Sequence, residues 1–145
     1  MVKKIIQSIG RRKSALAKAT LSPGKGIIRI NNQLLSTFMP SLSRQRILEP
    51  LLIAEETASQ VDIKVTISGG GIQGQADAAR VAIARALSEF NKKLKKSFLD
   101  YDRQLIVQDT RHKEQRKPND SKARSSRQKS YRWHQFYYTF GCNTP

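Results

Sequence analysis

The chain has 145 residues, enough for one domain, and carries 27 Lys+Arg against 11 Asp+Glu, a net charge of +16. So lopsided a balance is foreign to a typical enzyme and points to a polyanionic partner, either nucleic acid or an acidic membrane surface. The single cysteine, Cys142, rules out an intrachain disulfide, no metal-ligand spacing accompanies His112 and His134, and no apolar run approaches the roughly 18 residues of a membrane span.

The opening Met-Val-Lys-Lys-Ile-Ile enters a strand pattern at once, without signal or transit character, so the protein is expected to work in the compartment where it is made. Residues 3–9 and 12–22 read as two strands, the second alternating Ala15, Ala17, Ala19 and Leu21 with Leu16, Lys18 and Thr20. Between them, Gly10-Arg11-Arg12-Lys13 places three cations at a turn, where they repel one another unless an anion or solvent screens them. Ser22-Pro23-Gly24 forms a turn, 27–30 a third strand and Asn31-Asn32 another turn. Helical pieces follow over 33–38 and 43–56. The second is expected to break near Glu49-Pro50, because the residue before a proline avoids the α region. Its Ile47, Leu48, Leu51 and Leu52 are expected to cover one face of the sheet.

The next segment is the most informative. Val61, Ile63, Val65 and Ile67 alternate with polar residues as a half-buried strand does. Gly69-Gly70-Gly71 then frees the backbone for a tight turn and for close approach by another chain. After it Ile72, Ala76, Ala79, Ile83, Ala86, Leu87 and Phe90 recur at helical spacing. Lys92, Lys93, Lys95 and Lys96 fall on a short helix whose apolar side is Leu94, Phe98 and Leu99, and Leu105-Ile106-Val107 ends the apolar pattern. The organisation expected is an α/β domain over 1–108, a basic tail over 109–132 and an aromatic-rich extension over 133–145.

The glycine turn is either a tight connection or an anion site that aims free N–H groups and the positive helix end at a phosphate. Gln73 sits in the first turn of that helix. Neither the Walker pattern nor GxGxxG is present, and no acid lies beside the turn to hold Mg²⁺, which sets aside a nucleotide substrate and leaves a backbone phosphate. On the helix, Arg80 can be neutralised by Asp77 at i+3, whereas Arg85 is left facing outward and available to phosphate.

The tail carries the strongest charge signal. Residues 111–132 hold nine cations (Arg111, Lys113, Arg116, Lys117, Lys122, Arg124, Arg127, Lys129, Arg132) and two acids, with Ala123 and Tyr131 as the only apolar or aromatic side chains. Such a segment cannot bury enough apolar surface to offset the entropy of ordering, and alone in water it is expected to be disordered. An extended chain of this kind can place cations on successive phosphates with little regard to sequence. The extension 133–145 differs again, with five of the ten aromatics and no formal charge.

Gly69-Gly70-Gly71, Gly74-Gln75, Ala78, Ala82, Ala84, Arg85, Ala86 and Leu87, with Gly10-Arg11-Arg12-Lys13-Ser14-Ala15 near the start, resemble the signature of the family of the ninth protein of the small ribosomal subunit, in register from about Ile6 to Arg132. The resemblance implies a structural, non-enzymatic rRNA-binding protein of the subunit head. It implies an α/β two-layer sandwich with a mixed sheet, a left-handed βαβ crossover and an extended basic C-terminal tail, without a cofactor, small-molecule substrate or membrane. The rRNA contacts it implies fall on Arg11, Arg12, Lys13, Gly69, Gly70, Gly71, Gln73, Arg80, Arg85, Arg111, Lys113, Arg116, Lys117, Lys122, Arg124 and Arg127. Lys129 and Arg132 would reach peptidyl-site tRNA, and neighbouring head proteins would be further partners. The ribosome expected is that of a bacterial cytoplasm or a plastid stroma. The chain departs from the family in having Tyr131 where a Lys is usual and in continuing past Arg132. The extension either finds bases or protein to pack on, blocks the tRNA contact, or carries no function. The alternative to the ribosomal reading is a free RNA chaperone driven by charge.

Overall fold

Period-two alternation builds the sheet. In the computed structural model, which describes residues 5–116, 118, 123 and 124, the strands are β1 (Ile6–Arg12), β2 (Ala15–Pro23), β3 (Ile28–Ile30), β4 (Gln33–Leu34) and β5 (Val61–Ser68). They lie in the order β1-β2-β5-β3-β4. Every pairing is antiparallel except β3 with β5, so the sheet is mixed. The parallel pair is connected through α1 (Ser41–Ile53) and the single turn α2 (Glu55–Ala58), as a parallel crossover requires. After β5 come α3 (Ile72–Phe90) and α4 (Leu94–Tyr101). The first compact unit ends at His112.

One face of the sheet is dry. Ala15, Ala17, Ala19 and Leu21 of β2 and Val61, Ile63, Val65 and Ile67 of β5 are buried beneath α3, while their alternates remain open to solvent or half-buried. Each fully buried Leu, Ile or Val contributes roughly 1.5–3 kcal/mol relative to its exposed state. The helix comes unusually close to β1. A Cβ on Gly10 would lie 2.1 Å from the Ala78 carbonyl oxygen and 2.6 Å from the Ala82 amide nitrogen, so only glycine fits. Beside it, the buried Ser8 hydroxyl donates to the Ala82 carbonyl at 2.6 Å, which satisfies a polar group that would otherwise be costly to bury.

Several expectations are corrected. Gly10, Arg11 and Arg12 belong to β1, and the turn is Lys13-Ser14 alone, because Gly10 is needed at the seam with α3. Lys13 has φ 53°, the left-handed conformation that a two-residue hairpin demands. Helix α1 runs through Pro50 rather than breaking before it; the proline is fully buried, and the helix stops four residues later at Ala54. Packing of the ring therefore outweighs the lost hydrogen bond. Residues 33–38 form the short β4 and one 3-10 turn over Leu35–Thr37. Ile47 and Leu51 are buried, but Leu52 is 72% exposed, since α1 packs along α3 and buries a narrower stripe than the pattern suggests. Helix α3 itself is buried on nearly all sides, between the sheet and α1, which leaves its terminal Ile72 and Phe90 partly in solvent.

The two asparagines after β3 both adopt positive φ. The Asn31 side chain continues the strand in place of backbone: its Oδ1 accepts from the Ile67 amide at 2.8 Å and its Nδ2 donates to the Ile67 carbonyl at 3.3 Å. In this way β3 remains stitched to β5 past its last ladder pair.

Candidate nucleic-acid interface

The fold brings the two sequence blocks together at one corner. The last β2–β5 pair is Leu16 with Ser68, which places the β1–β2 hairpin tip beside the glycine turn. Gly69 and Gly70 have φ of 70° and 69°, and a Cβ on Gly69 would lie 2.6 Å from the Ser14 carbonyl oxygen. These two glycines are therefore required by the turn and by the hairpin packed on it. Gly71 differs: it has ordinary backbone angles, caps α3 without a side-chain bond, and faces open space. The first intrahelical bond of α3 runs from Gln75 N to Gly71 O, so the amides of Ile72, Gln73 and Gly74 precede the ladder, as at any helix start. The Gln75 side chain donates to the Gly69 carbonyl at 3.0 Å and holds the turn in place. Exposed Lys13 stands at this corner, with exposed Gln73 in the first helical turn.

The arginines behind the corner are already engaged. Asp77 accepts from Arg46 at 3.0 Å and lies 3.6 Å from Arg12 Nε, while Arg12 also pairs with Asp109. Arg80 reaches Glu49 at 2.7 Å and donates to Asp102 at 2.8 Å. The Glu49 contact is purely electrostatic in character, since neither Arg80 Nε nor Glu49 Oε2 has a well-angled hydrogen bond. Arg80 is thus neutralised as expected, but by acids from α1 and the loop after α4, not by Asp77. Arg12, Arg46, Arg80, Glu49, Asp77 and Asp109 line a cleft of about 310 Å³ together with Arg11. Three of its four arginines are taken up by its acids, which leaves little uncancelled charge for an anion.

Arg85 is half-buried and donates to the Ile9 carbonyl at 2.9 Å, where Gln108 also donates at 2.8 Å. The two side chains close a backbone acceptor on the sheet's edge strand. A carbonyl leaves the guanidinium charge uncancelled. Arg11 is exposed on β1. Arg111 forks onto Asp109 through Nε and Nη2 at 3.0 and 3.1 Å.

In the second unit, Lys113 and Arg116 are exposed. Arg124 forks onto the Glu114 carboxylate, and this bond raises its pKa above the ordinary value. Lys117, Lys122, Arg127, Lys129 and Arg132, with the aromatic extension, lie outside the described residues.

Sequence reasoning missed Asp62. Its Oδ1 accepts from the Ile27 and Lys25 amides, each at 2.9 Å, and these bonds hold the carboxyl below its ordinary value, with Arg29 adding a smaller Coulombic pull. Asp62 is the only acid of β5, and the amides it accepts from lie 37 and 35 residues away in sequence, so no local signal marked it.

Among the described residues no group of acids, histidines or cysteines could hold a metal ion, and no helix is long and apolar enough to cross a membrane. Residues 10–132 match the family described as Ribosomal protein S9/S16. The small ribosomal subunit protein uS9 of Methanothrix thermoacetophila is 46% identical over 131 residues, covering 89% of this chain and 99% of that protein. The uS9 of Methanococcus maripaludis (strain C5) is 42% identical over 133 residues, with the same coverage of 89% and 99%. Both relatives are archaeal, and they lend no support to a bacterial or plastid origin. The family match stops at Arg132, so 133–145 lies beyond it.

Proposed function

The chain belongs to the ribosomal protein S9/S16 family as a structural constituent of the small ribosomal subunit and not an enzyme, and from that membership we propose that it binds small-subunit rRNA and reaches tRNA with its tail. The observation that carries the rRNA reading is the shared corner of the hairpin tip and the glycine turn. There a cation at Lys13, the open backbone of Gly71 and the unladdered amides of α3 converge. Free N–H groups and the positive helix end favour a phosphate, and the missing Cβ at Gly71 lets a phosphate approach the backbone. Arg11 and Gln73 flank this contact, Arg12 and Arg80 act through their ion pairs as its frame, and Arg85, roughly 20 Å along α3, offers a separate cation beside Ile9.

The basic tail supplies the sequence-independent part of affinity through Arg111, Lys113, Arg116, Lys117, Lys122, Arg124 and Arg127. Lys129 and Arg132 are assigned to peptidyl-site tRNA. For the tail, the test is the salt dependence of binding to protein-free small-subunit rRNA, comparing the full chain with one ending at residue 110. Each phosphate contact adds roughly 0.7 to 0.9 to the log–log slope, so the shortened chain is expected to show a much shallower slope. Equal slopes would remove the tail from the contact. For tRNA, subunits carrying a chain cut after Gln128 are expected to hold peptidyl-site tRNA more weakly than subunits carrying one cut after Arg132. Equal affinities would withdraw Lys129 and Arg132.

A further inference from the structure

The side of the sheet away from α3 carries a second cationic feature, which shares only Arg11 with the glycine corner. Strand register fixes its geometry. Arg11 pairs with Leu16 and Ile9 with Lys18, so Arg11 and Lys18 are diagonal neighbours on β1 and β2. Lys18 pairs with Thr66 and Thr20 with Lys64, so Lys18 and Lys64 are diagonal neighbours on β2 and β5. Lys64 then stands directly beside Arg29 on β3. All four side chains are exposed; Lys18, Lys64 and Arg29 share the open face, and Arg11, at the hairpin end of β1, also borders the cleft lined by Arg12 and Asp77. With strands about 4.8 Å apart and residues about 3.3 Å along each strand, the row crosses four strands over roughly 20 Å.

One acid, Asp62, stands at the Arg29 end of this row and interacts weakly with Arg29, against four cations. Among the described residues no ion pair involves Arg11, Lys18, Lys64 or Arg29. The acid at its margin, Asp62, is occupied by the Lys25 and Ile27 amides. Between the cations lie Thr20, Thr66 and Ser68, hydroxyl side chains able to donate to phosphate oxygens. Adjacent like charges across a sheet are destabilising, and a row of them is accounted for only by a partner of opposite sign. A membrane fits poorly, because the exposed large apolar residues of this face, Ile5, Ile9, Ile27 and Leu34, lie on its outer strands and their ends, whereas Thr20 and Thr66 stand between the central cations. A protein would need a matching line of carboxylates. A nucleic-acid strand has a line of charge by construction.

We propose that the open face of the sheet is a second rRNA-binding surface, on which one sugar–phosphate strand runs diagonally from Arg11 over Lys18 and Lys64 to Arg29. This deepens the rRNA reading given above and rests on it. Two faces of one domain then hold different rRNA segments: the helix start at the glycine corner on one, and a path across the strands on the other.

The test is directed hydroxyl-radical cleavage in assembled small subunits, with Cys142→Ser as background and an iron chelate tethered at Thr66→Cys, in the middle of the row. A second chelate at Gln73→Cys probes the glycine corner. Cleavage of distinct rRNA segments from both positions is expected. Cleavage from the Gln73 position alone overturns the sheet-face proposal and leaves the corner standing. Cleavage from the Thr66 position alone supports the sheet face and withdraws the corner. Cleavage from neither withdraws both. As an independent measure, a chain with Lys18→Gln, Arg29→Gln and Lys64→Gln is expected to lose about 2 to 3 from the salt-dependence slope of rRNA binding. An unchanged slope would count against phosphate contact at this face.

Discussion

The two sides of the domain treat positive charge in opposite ways. On the helical side Arg12, Arg46 and Arg80 are each matched to one or two carboxylates from other elements. On the sheet side Lys18, Lys64 and Arg29 stand in a row with no carboxylate paired to them among the described residues. The first set ties α1, α3 and the segment after α4 together, and the second contributes nothing visible to cohesion. Net charge alone would have assigned every cation the same purpose. Their partners separate those that hold the fold from those that face outward.

The sharpest way to probe that division starts at its frame. Gly10→Ala is expected to cost on the order of 3 kcal/mol or more in chemical denaturation, because the new Cβ collides with helix backbone that cannot step aside. Gly71→Ala, in open space, is expected to cost about 1 kcal/mol or less, the difference between these residues at a helix N-cap. Equal losses would mean that β1 and α3 can separate, and the close seam would not be the frame.

Next comes the contrast itself. Arg80→Ala leaves the Glu49 and Asp102 carboxylates half-buried without their cation, and is expected to cost about 1–3 kcal/mol of stability. Lys64→Ala is expected to change stability by no more than about 0.5 kcal/mol, and to reduce rRNA affinity with a shallower salt slope. A reversed outcome, with Lys64 stabilising and Arg80 neutral, breaks the comparison. The smallest effect is expected at Asp62. Its carboxyl is held low by the Ile27 and Lys25 amides, so its contribution is complete above the ordinary carboxyl value of 3.8 and is lost as pH falls through the lower folded value. Denaturation midpoints measured from pH 5 downward should fall less for Asp62→Asn than for the natural chain. Parallel curves would remove Asp62 from the loop's support.

Much of this was legible from residue order. β5 and the body of α3 followed from periodicity, and the Asn31-Asn32 turn from its composition, because each is set by neighbours a few residues away. The failures are long-range. Nothing near Gly10 announces that it lies in a strand under Ala78 and Ala82, and nothing near Pro50 announces a buried site that keeps the helix intact. Local spacing offered Asp77 to Arg80. The fold instead gave Asp77 to Arg12 and Arg46, and supplied Arg80 from Glu49 and Asp102. The corner joining Lys13 to the glycine turn could be suspected only as two separate motifs, and the diagonal row required strand order and register before it existed at all.

The seam between β1 and α3 also has a mechanical consequence. Its surfaces are Gly10, Ala78 and Ala82, with Ala15, Ala17 and Ala19 on the neighbouring strand, and none of these residues has a rotamer to change. A joint without rotatable side chains has no soft coordinate for sliding. A load applied at the hairpin tip is therefore passed to the start of α3 with little give, and the corner and the open sheet behave as two ends of one stiff plate.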